Sequence, residues 1–177
     1  MSATEALAPA LPPAIDRKAL AVLKAACDQH LTIATAESCT GGLLASLLTD
    51  VPGCSHAFER GFVVYTEAAK SDLLKVPSDL IEEEGVVSQP VAAAMAKGAL
   101  DASDADIALA VTGYAEAPPD DPDAVAGLVH FACATRDGHL TTRVEFYGDL
   151  GRARVRIACL DTGLDLLAEA LGVTGSA

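Results

Sequence analysis

The sequence predicts an α/β fold in which helices cover both faces of an open mixed sheet, a three-layer α/β/α sandwich. Three observations carry this. Early in the chain, short apolar runs that suit buried strands alternate with helical stretches, the pattern of parallel βαβ units. Two β runs then follow one another around Arg136-Asp-Gly138. Asp-Gly is a hairpin signal, so these last two strands are antiparallel. Finally, 177 residues, 51% of them apolar, are enough for one domain with a sizeable core.

The elements follow in order. Residues 1–15 are rich in Ala and Pro and read as a flexible tail, leaving 16–177 as a single domain. Asp16 is the expected N-cap of a helix over 16–29, with Ala19, Leu20, Leu23, Ala26 and Cys27 on its buried side. A strand is expected over 31–36, then a turn rich in Ser, Thr and Gly, then a helix from about 41 that closes over 49–52. A second strand over about 60–65, with Phe62-Val-Val-Tyr65 buried, leads into a helix bearing Lys70. Residues 77–84 form a short connecting helix or turn. Ser88 caps a helix with Pro90 in its first turn, ending near 102. Asp106-Ile-Ala-Leu-Ala-Val111 is a buried strand that ends at Thr112-Gly113. The hairpin strands are 127–135 and 140–147, and a last helix spans about 151–171. No internal repeat is present.

The first strand runs into Thr35-Ala-Glu-Ser-Cys-Thr-Gly-Gly42. A strand-to-helix turn of this composition admits three readings. Glycines let the backbone approach a ligand, and free N–H groups at a helix start favour an anion. The same donors could stabilise an oxyanion beside Ser38. Or the serine is simply a helix cap. The run is neither Gly-x-Ser-x-Gly nor a phosphate loop of the Gly-Lys-Ser/Thr type.

A second segment, Phe58-Glu-Arg-Gly-Phe-Val-Val-Tyr-Thr-Glu-Ala-Ala-Lys70, puts Tyr65 at a strand end with Lys70 close behind. Ligands of open α/β sheets bind at such ends. A lysine whose pKa is lowered by burial can activate a serine, and a tyrosine can bond to either group or relay a proton. A solvated helix lysine and a half-buried strand tyrosine are the plainer alternatives.

Composition excludes several classes. Twelve basic and 25 acidic residues give a net charge of −13, wrong for general nucleic-acid binding, and aromatic stacking platforms are scarce. A local anion pocket remains open to Arg60, Lys70 and Arg152. The five cysteines, Cys27, Cys39, Cys54, Cys133 and Cys159, are odd in number and unpatterned, which suggests a reducing cytoplasm. Cys39 is the rival nucleophile to Ser38, but neighbours on a turn point apart. The four histidines show no metal-binding spacing and there is no Cys-x-x-Cys, so no metal is expected. No apolar stretch is long enough to span a membrane, and the N-terminal residues do not read as a signal peptide.

Taken with Gly85-Val-Val-Ser88 and Ala110-Val-Thr-Gly113, the two long blocks resemble the CinA C-terminal domain family over roughly residues 16–172. The resemblance implies a stand-alone deamidase of nicotinamide mononucleotide (NMN), without the molybdopterin-binding-like domain of longer relatives. It makes Ser38 the nucleophile, with Tyr65 and Lys70 as its partners. It further implies no cofactor and a homodimer. Taken with the readings above, the candidate substrate contacts are Cys39, Thr40, Gly41, Gly42, Arg60, Thr112, Gly113 and Arg152. Ser88 is read chiefly as a helix cap and as a possible neighbour of the site.

The sequence departs from the family in one loop. A glycine-rich segment with a lysine is replaced by Tyr114-Ala-Glu-Ala-Pro-Pro-Asp-Asp-Pro-Asp-Ala-Val-Ala-Gly127, with acids at 116, 120, 121 and 123. The family's Gly-Asp-Arg becomes Gly148-Asp-Leu-Gly-Arg152. These changes support the alternative of a catalytically altered binding or regulatory protein on the same scaffold.

Overall fold

In the computed structural model, which describes residues 11–117 and 124–173, a five-stranded sheet lies between two layers of helices. The first strand and its flanking helices are α1 (Pro13–Gln29), β1 (Ile33–Glu37) and α2 (Leu43–Thr49). A single 3-10 turn precedes β2 (Phe58–Val63), and then come α3 (Glu67–Leu74), α4 (Ser78–Glu84) and α5 (Gln89–Asp101). The chain closes with β3 (Ile107–Gly113), β4 (Leu128–Thr135), β5 (Leu140–Phe146) and α6 (Arg152–Ala170). The strand order is β2-β1-β3-β4-β5. β1 runs parallel to β2 and β3, and β3 pairs antiparallel with β4. β4–β5 is antiparallel too, as the Asp-Gly turn predicts.

The two faces of the sheet carry different residues. Ile33, Ile107, Leu109, Val111, Val129, Phe131 and Cys133 pack with α1, α2 and α6. The other face presents Ala34, Ala36, Ala108, Ala110, Ala132 and Ala134 to α5 and its neighbours. Small side chains on that face let α5 lie close to the sheet. α5 also sits close to α3, since a Cβ at Gly98 would fall 2.0 Å from the Leu74 carbonyl oxygen. Lys70 is on α3, and this tight packing leaves it fully buried.

Four details depart from expectation. α1 begins at Pro13, so Asp16 is a first-turn acid facing the helix dipole, not the N-cap. Residues 13–15 therefore belong to the helix and not to a tail, and Ile15 is in the core. Residues 1–10 lie outside the described part. On the same helix Val22 is buried and Leu20 is half exposed. β2 ends at Val63 on the sheet's edge, so Val63 and Tyr65 are exposed, and of the expected buried run only Val64 is fully covered. An edge strand has a neighbour on one side only, which local apolar content does not reveal.

The chain passes from β1 to β2 through α2 on one face, and from β2 to β3 through α3–α5 on the other. The strand order therefore reverses at β1. The turn after β1 lies at the carboxyl end of the sheet where such reversals open a crevice.

Candidate active site

Ser38 is the first residue after β1 and is 7% exposed. Its amide donates to the Val111 carbonyl at 3.0 Å, which pins the turn to β3. Its Oγ lies 3.2 Å from Lys70 Nζ. The lysine arrives from α3, whose start is fixed by Thr66: the Thr66 hydroxyl accepts from the Ala69 amide. Lys70 Nζ also donates to the Val64 carbonyl at 2.9 Å. Burial pushes its pKa down, more strongly than Cys39 and Glu67 pull it up. A neutral amine has two N–H donors and one lone pair. With one N–H held by Val64, the lone pair can accept the Ser38 hydroxyl proton.

The turn is organised by a residue that the sequence reading passed over. The Glu37 carboxylate is fully buried. One oxygen accepts from the Thr35 hydroxyl at 3.2 Å and the Ala45 amide at 2.8 Å. The other accepts from the Thr40 hydroxyl at 2.7 Å and from the amides of Gly42 and Leu44 at 3.0 and 3.1 Å. The negative group favoured at the start of α2 thus comes from within the protein, and those amides are not open to a substrate anion. Gly41 donates to the Ser38 carbonyl and Leu43 to the Thr40 carbonyl. Among the described residues the amides of Cys39 and Thr40 donate to no other residue, narrowing the expected oxyanion donors from 39–42 to these two. Gly41 and Gly42 have φ of 61° and 90°, values that a residue with a Cβ adopts at a cost.

Arg156, on α6, also escaped notice. Its Nη2 donates to the Thr40 carbonyl at 2.7 Å, bracing the turn from outside. Two signals in the sequence point to these residues. An acid inside a fully buried strand must find donors, and Arg156 lies one helical turn beyond Arg152.

A cleft of about 220 Å³ opens over the turn, bordered by Ser38, Cys39, Tyr65, Lys70, Thr112, Gly113, Glu116 and Arg152. The Cys39 side chain is buried in the same core cluster as Cys159. The hydrogen bond with Cys159 holds the Cys39 thiol below the ordinary cysteine range and pushes Cys159 up. Thr112 donates to the Val86 carbonyl at 3.0 Å. Ser88 caps α5 by accepting from the Val91 amide.

Three expected contacts are placed differently. Tyr65 is 64% exposed at the mouth, and among the described residues its hydroxyl bonds neither Ser38 nor Lys70. Arg60 pairs with Ala34 in the sheet, away from the strand end that carries Ser38, and bonds Glu59 and the Ala102 carbonyl. It is therefore not part of the cleft. The Thr40 side chain is buried against Glu37. Arg152 stands at the mouth with its Nε 3.3 Å from Glu116, each side chain about half exposed. The acids at 120, 121 and 123 lie outside the described residues.

A family model described as the CinA C-terminal domain matches residues 16–171. The chain belongs to the CinA C-terminal domain family.

A CinA-like protein of Akkermansia muciniphila is 48% identical over 120 residues, 68% of this chain and 29% of that protein. A CinA-like protein of Syntrophotalea carbinolica is 42% identical over 145 residues, 82% of this chain and 35% of its own. This CinA domain thus spans about a third of the length of these curated relatives. Solved structures cover it more evenly. The competence/damage inducible protein CihA of Agrobacterium tumefaciens superposes with a TM-score of 0.88 at 39% identity, over 93% of this chain and 99% of that one. A CinA superfamily protein of Escherichia coli gives 0.82 at 33%, over 88% and 90%. No described helix is long and apolar enough to cross a membrane.

Proposed function

We propose that this CinA domain is a serine amidase that deamidates NMN to nicotinate mononucleotide and ammonia. The observation that carries the reading is the fully buried Lys70 amine 3.2 Å from Ser38 Oγ at the floor of a cleft. The substrate itself rests on the family resemblance.

In this mechanism Ser38 Oγ attacks the carboxamide carbon and its proton passes to Lys70. The carbonyl oxygen becomes an oxyanion facing the Cys39 and Thr40 amides. Collapse breaks the C–N bond, and Lys70 returns its proton to the departing nitrogen, which leaves as ammonia. Water then attacks the acyl-enzyme with Lys70 as base, releasing the carboxylate and restoring the serine hydroxyl. Tyr65, whose hydroxyl bonds neither Ser38 nor Lys70 in this arrangement, is assigned to cover the bound ring. Arg152 is the cation assigned to the phosphate. A homodimeric, cytoplasmic form belongs to the same proposal.

The test is ammonia release from NMN by the purified protein, with nicotinate mononucleotide formed in equal amount. Failure to release ammonia sinks the substrate assignment. Turnover is expected to survive excess chelator, because nucleophile, base and oxyanion donors all come from the chain. Loss on chelation with recovery on added zinc, magnesium or manganese would overturn the mechanism.

One observation favours the second reading, a catalytically altered small-molecule-binding or regulatory protein: Glu116 already engages Arg152. Opposing a phosphate with one like charge costs on the order of 1 kcal/mol, about fivefold in binding. Glu116→Gln is therefore expected to lower KM for NMN by roughly that factor with kcat nearly unchanged, the sign of uniform binding. An unaltered KM would place Glu116 away from the phosphate.

A further inference from the structure

We propose that Glu37 is a positioning residue for the reaction. Its carboxylate would lock the turn so that Ser38 Oγ meets Lys70 and the Cys39 and Thr40 amides stay open to the oxyanion. This rests on the reading of Ser38 as nucleophile.

A buried carboxylate needs compensation, and among the described residues Glu37 has no cationic partner. Its compensation is five hydrogen bonds from groups on both sides of Ser38. Thr35 precedes it on β1. Thr40, Gly42, Leu44 and Ala45 follow it in the turn and α2. The residues on either side of 38 and 39 are therefore tied to one rigid group at the strand end. The Ser38 amide is anchored on Val111 and the Thr40 carbonyl on Arg156, which completes the brace. Four amides near the turn, those of Gly41, Gly42, Leu43 and Leu44, are engaged within the protein. Two are not, those of Cys39 and Thr40, and they follow directly on the Ser38 amide that is bonded to the sheet. A charge-neutral side chain at 37 would weaken the hold on the Gly42 and Leu44 amides. A looser turn costs turnover before it costs binding, because the oxyanion contacts form only in the transition state.

The variants for the test are Glu37→Gln, which keeps the volume and removes the charge, and Thr40→Val, which keeps the shape and removes one donor. Three readings are taken for each: folding by circular dichroism, kcat and KM for NMN, and the rate at which an alkyl fluorophosphonate modifies Ser38, followed by intact mass. In that reaction Oγ forms a bond to phosphorus, fluoride leaves, and the serine proton passes through Lys70 to solvent. Glu37→Gln is expected to lower kcat and the phosphonylation rate by about 10²-fold, the size of losing one oxyanion donor, with KM within about threefold. Thr40→Val is expected to lower the same two rates by about tenfold, and it carries the test if Glu37→Gln does not fold.

A structural residue alone would change melting temperature and leave both rates within threefold in the folded variants. That result overturns the proposal, as does a parallel rise of KM with the fall in kcat. If wild type is phosphonylated at Ser38 but releases no ammonia from NMN, the substrate reading fails and the phosphonylation rates decide the role of Glu37. If wild-type Ser38 does not react with the fluorophosphonate and NMN is not deamidated, Ser38 is no nucleophile and the positioning role falls with it.

Discussion

Ser38→Ala is expected to lower kcat for NMN by about 10⁴-fold or more, the scale on which a missing nucleophile shows in serine hydrolases. The chain should remain folded. Among the described residues the lost hydroxyl takes part in a single side-chain hydrogen bond, to Lys70, and the backbone anchor to Val111 does not involve the side chain. Removing one buried partner costs about 1–3 kcal/mol, which an otherwise intact core can absorb. Cys39→Ala is the necessary companion. It keeps the amide and removes a thiol buried in the core cluster, so most of the turnover should remain. The measurement is ammonia release under single-turnover conditions for both variants. A dead Cys39→Ala with an active Ser38→Ala would move the nucleophile to sulfur. Retention of more than a few per cent by Ser38→Ala would remove the serine from the mechanism.

The parts of this site that were legible in the sequence are those fixed by local rules. Ser38 sits where an apolar run meets a glycine turn, and Lys70 sits one turn into a helix capped by Thr66. Both placements follow from periodicity and capping, and the sheet brings them together because β1 and β2 are parallel neighbours. The antiparallel pairing of β4 with β5 followed from Asp137-Gly138 alone.

What was not legible depended on non-local choices. Arg60 reads as close to the site in sequence, but β2 is extended at about 3.3 Å per residue, so five residues before Tyr65 is the far half of the strand. Val63 and Tyr65 look buried until β2 is known to be an edge. Glu37 lies inside the most informative motif of the chain, yet its importance comes from amides that belong to α2. No spacing rule shows that a carboxylate will turn toward its own downstream helix and not toward solvent. The start of α1 failed for a different reason: Pro13 is well suited to the first turn of a helix, and that outweighed the capping preference of Asp16.

Lys70→Met is expected to lower kcat by about 10²–10⁴-fold, the range for loss of a general acid–base group, and to remove a pH dependence. Methionine fills similar space without an amine to desolvate. Since burial lowers the folded-state pKa of Lys70 below its unfolded value, the folded protein holds fewer protons than the unfolded chain between those two values. Stability therefore rises with pH across that window, from the lowered folded pKa up to about 10.4 in the unfolded chain. Below the window the native state must either carry a buried ammonium or yield stability to the unfolded form. Catalysis follows the same titration with the same sign, because only the neutral amine can take the Ser38 proton: kcat/KM should climb as pH rises through the folded pKa. Urea unfolding and kcat/KM from pH 6 to 10, on wild type and variant, check both halves. In Lys70→Met the lysine-linked rise in stability should vanish and the residual rate should lose its rising limb. At pH 7 the variant should be no less stable than wild type, since the relief of desolvation offsets the donor lost to the Val64 carbonyl. A rising limb of unchanged midpoint in the methionine variant would assign the titration to another group and take the base role from Lys70.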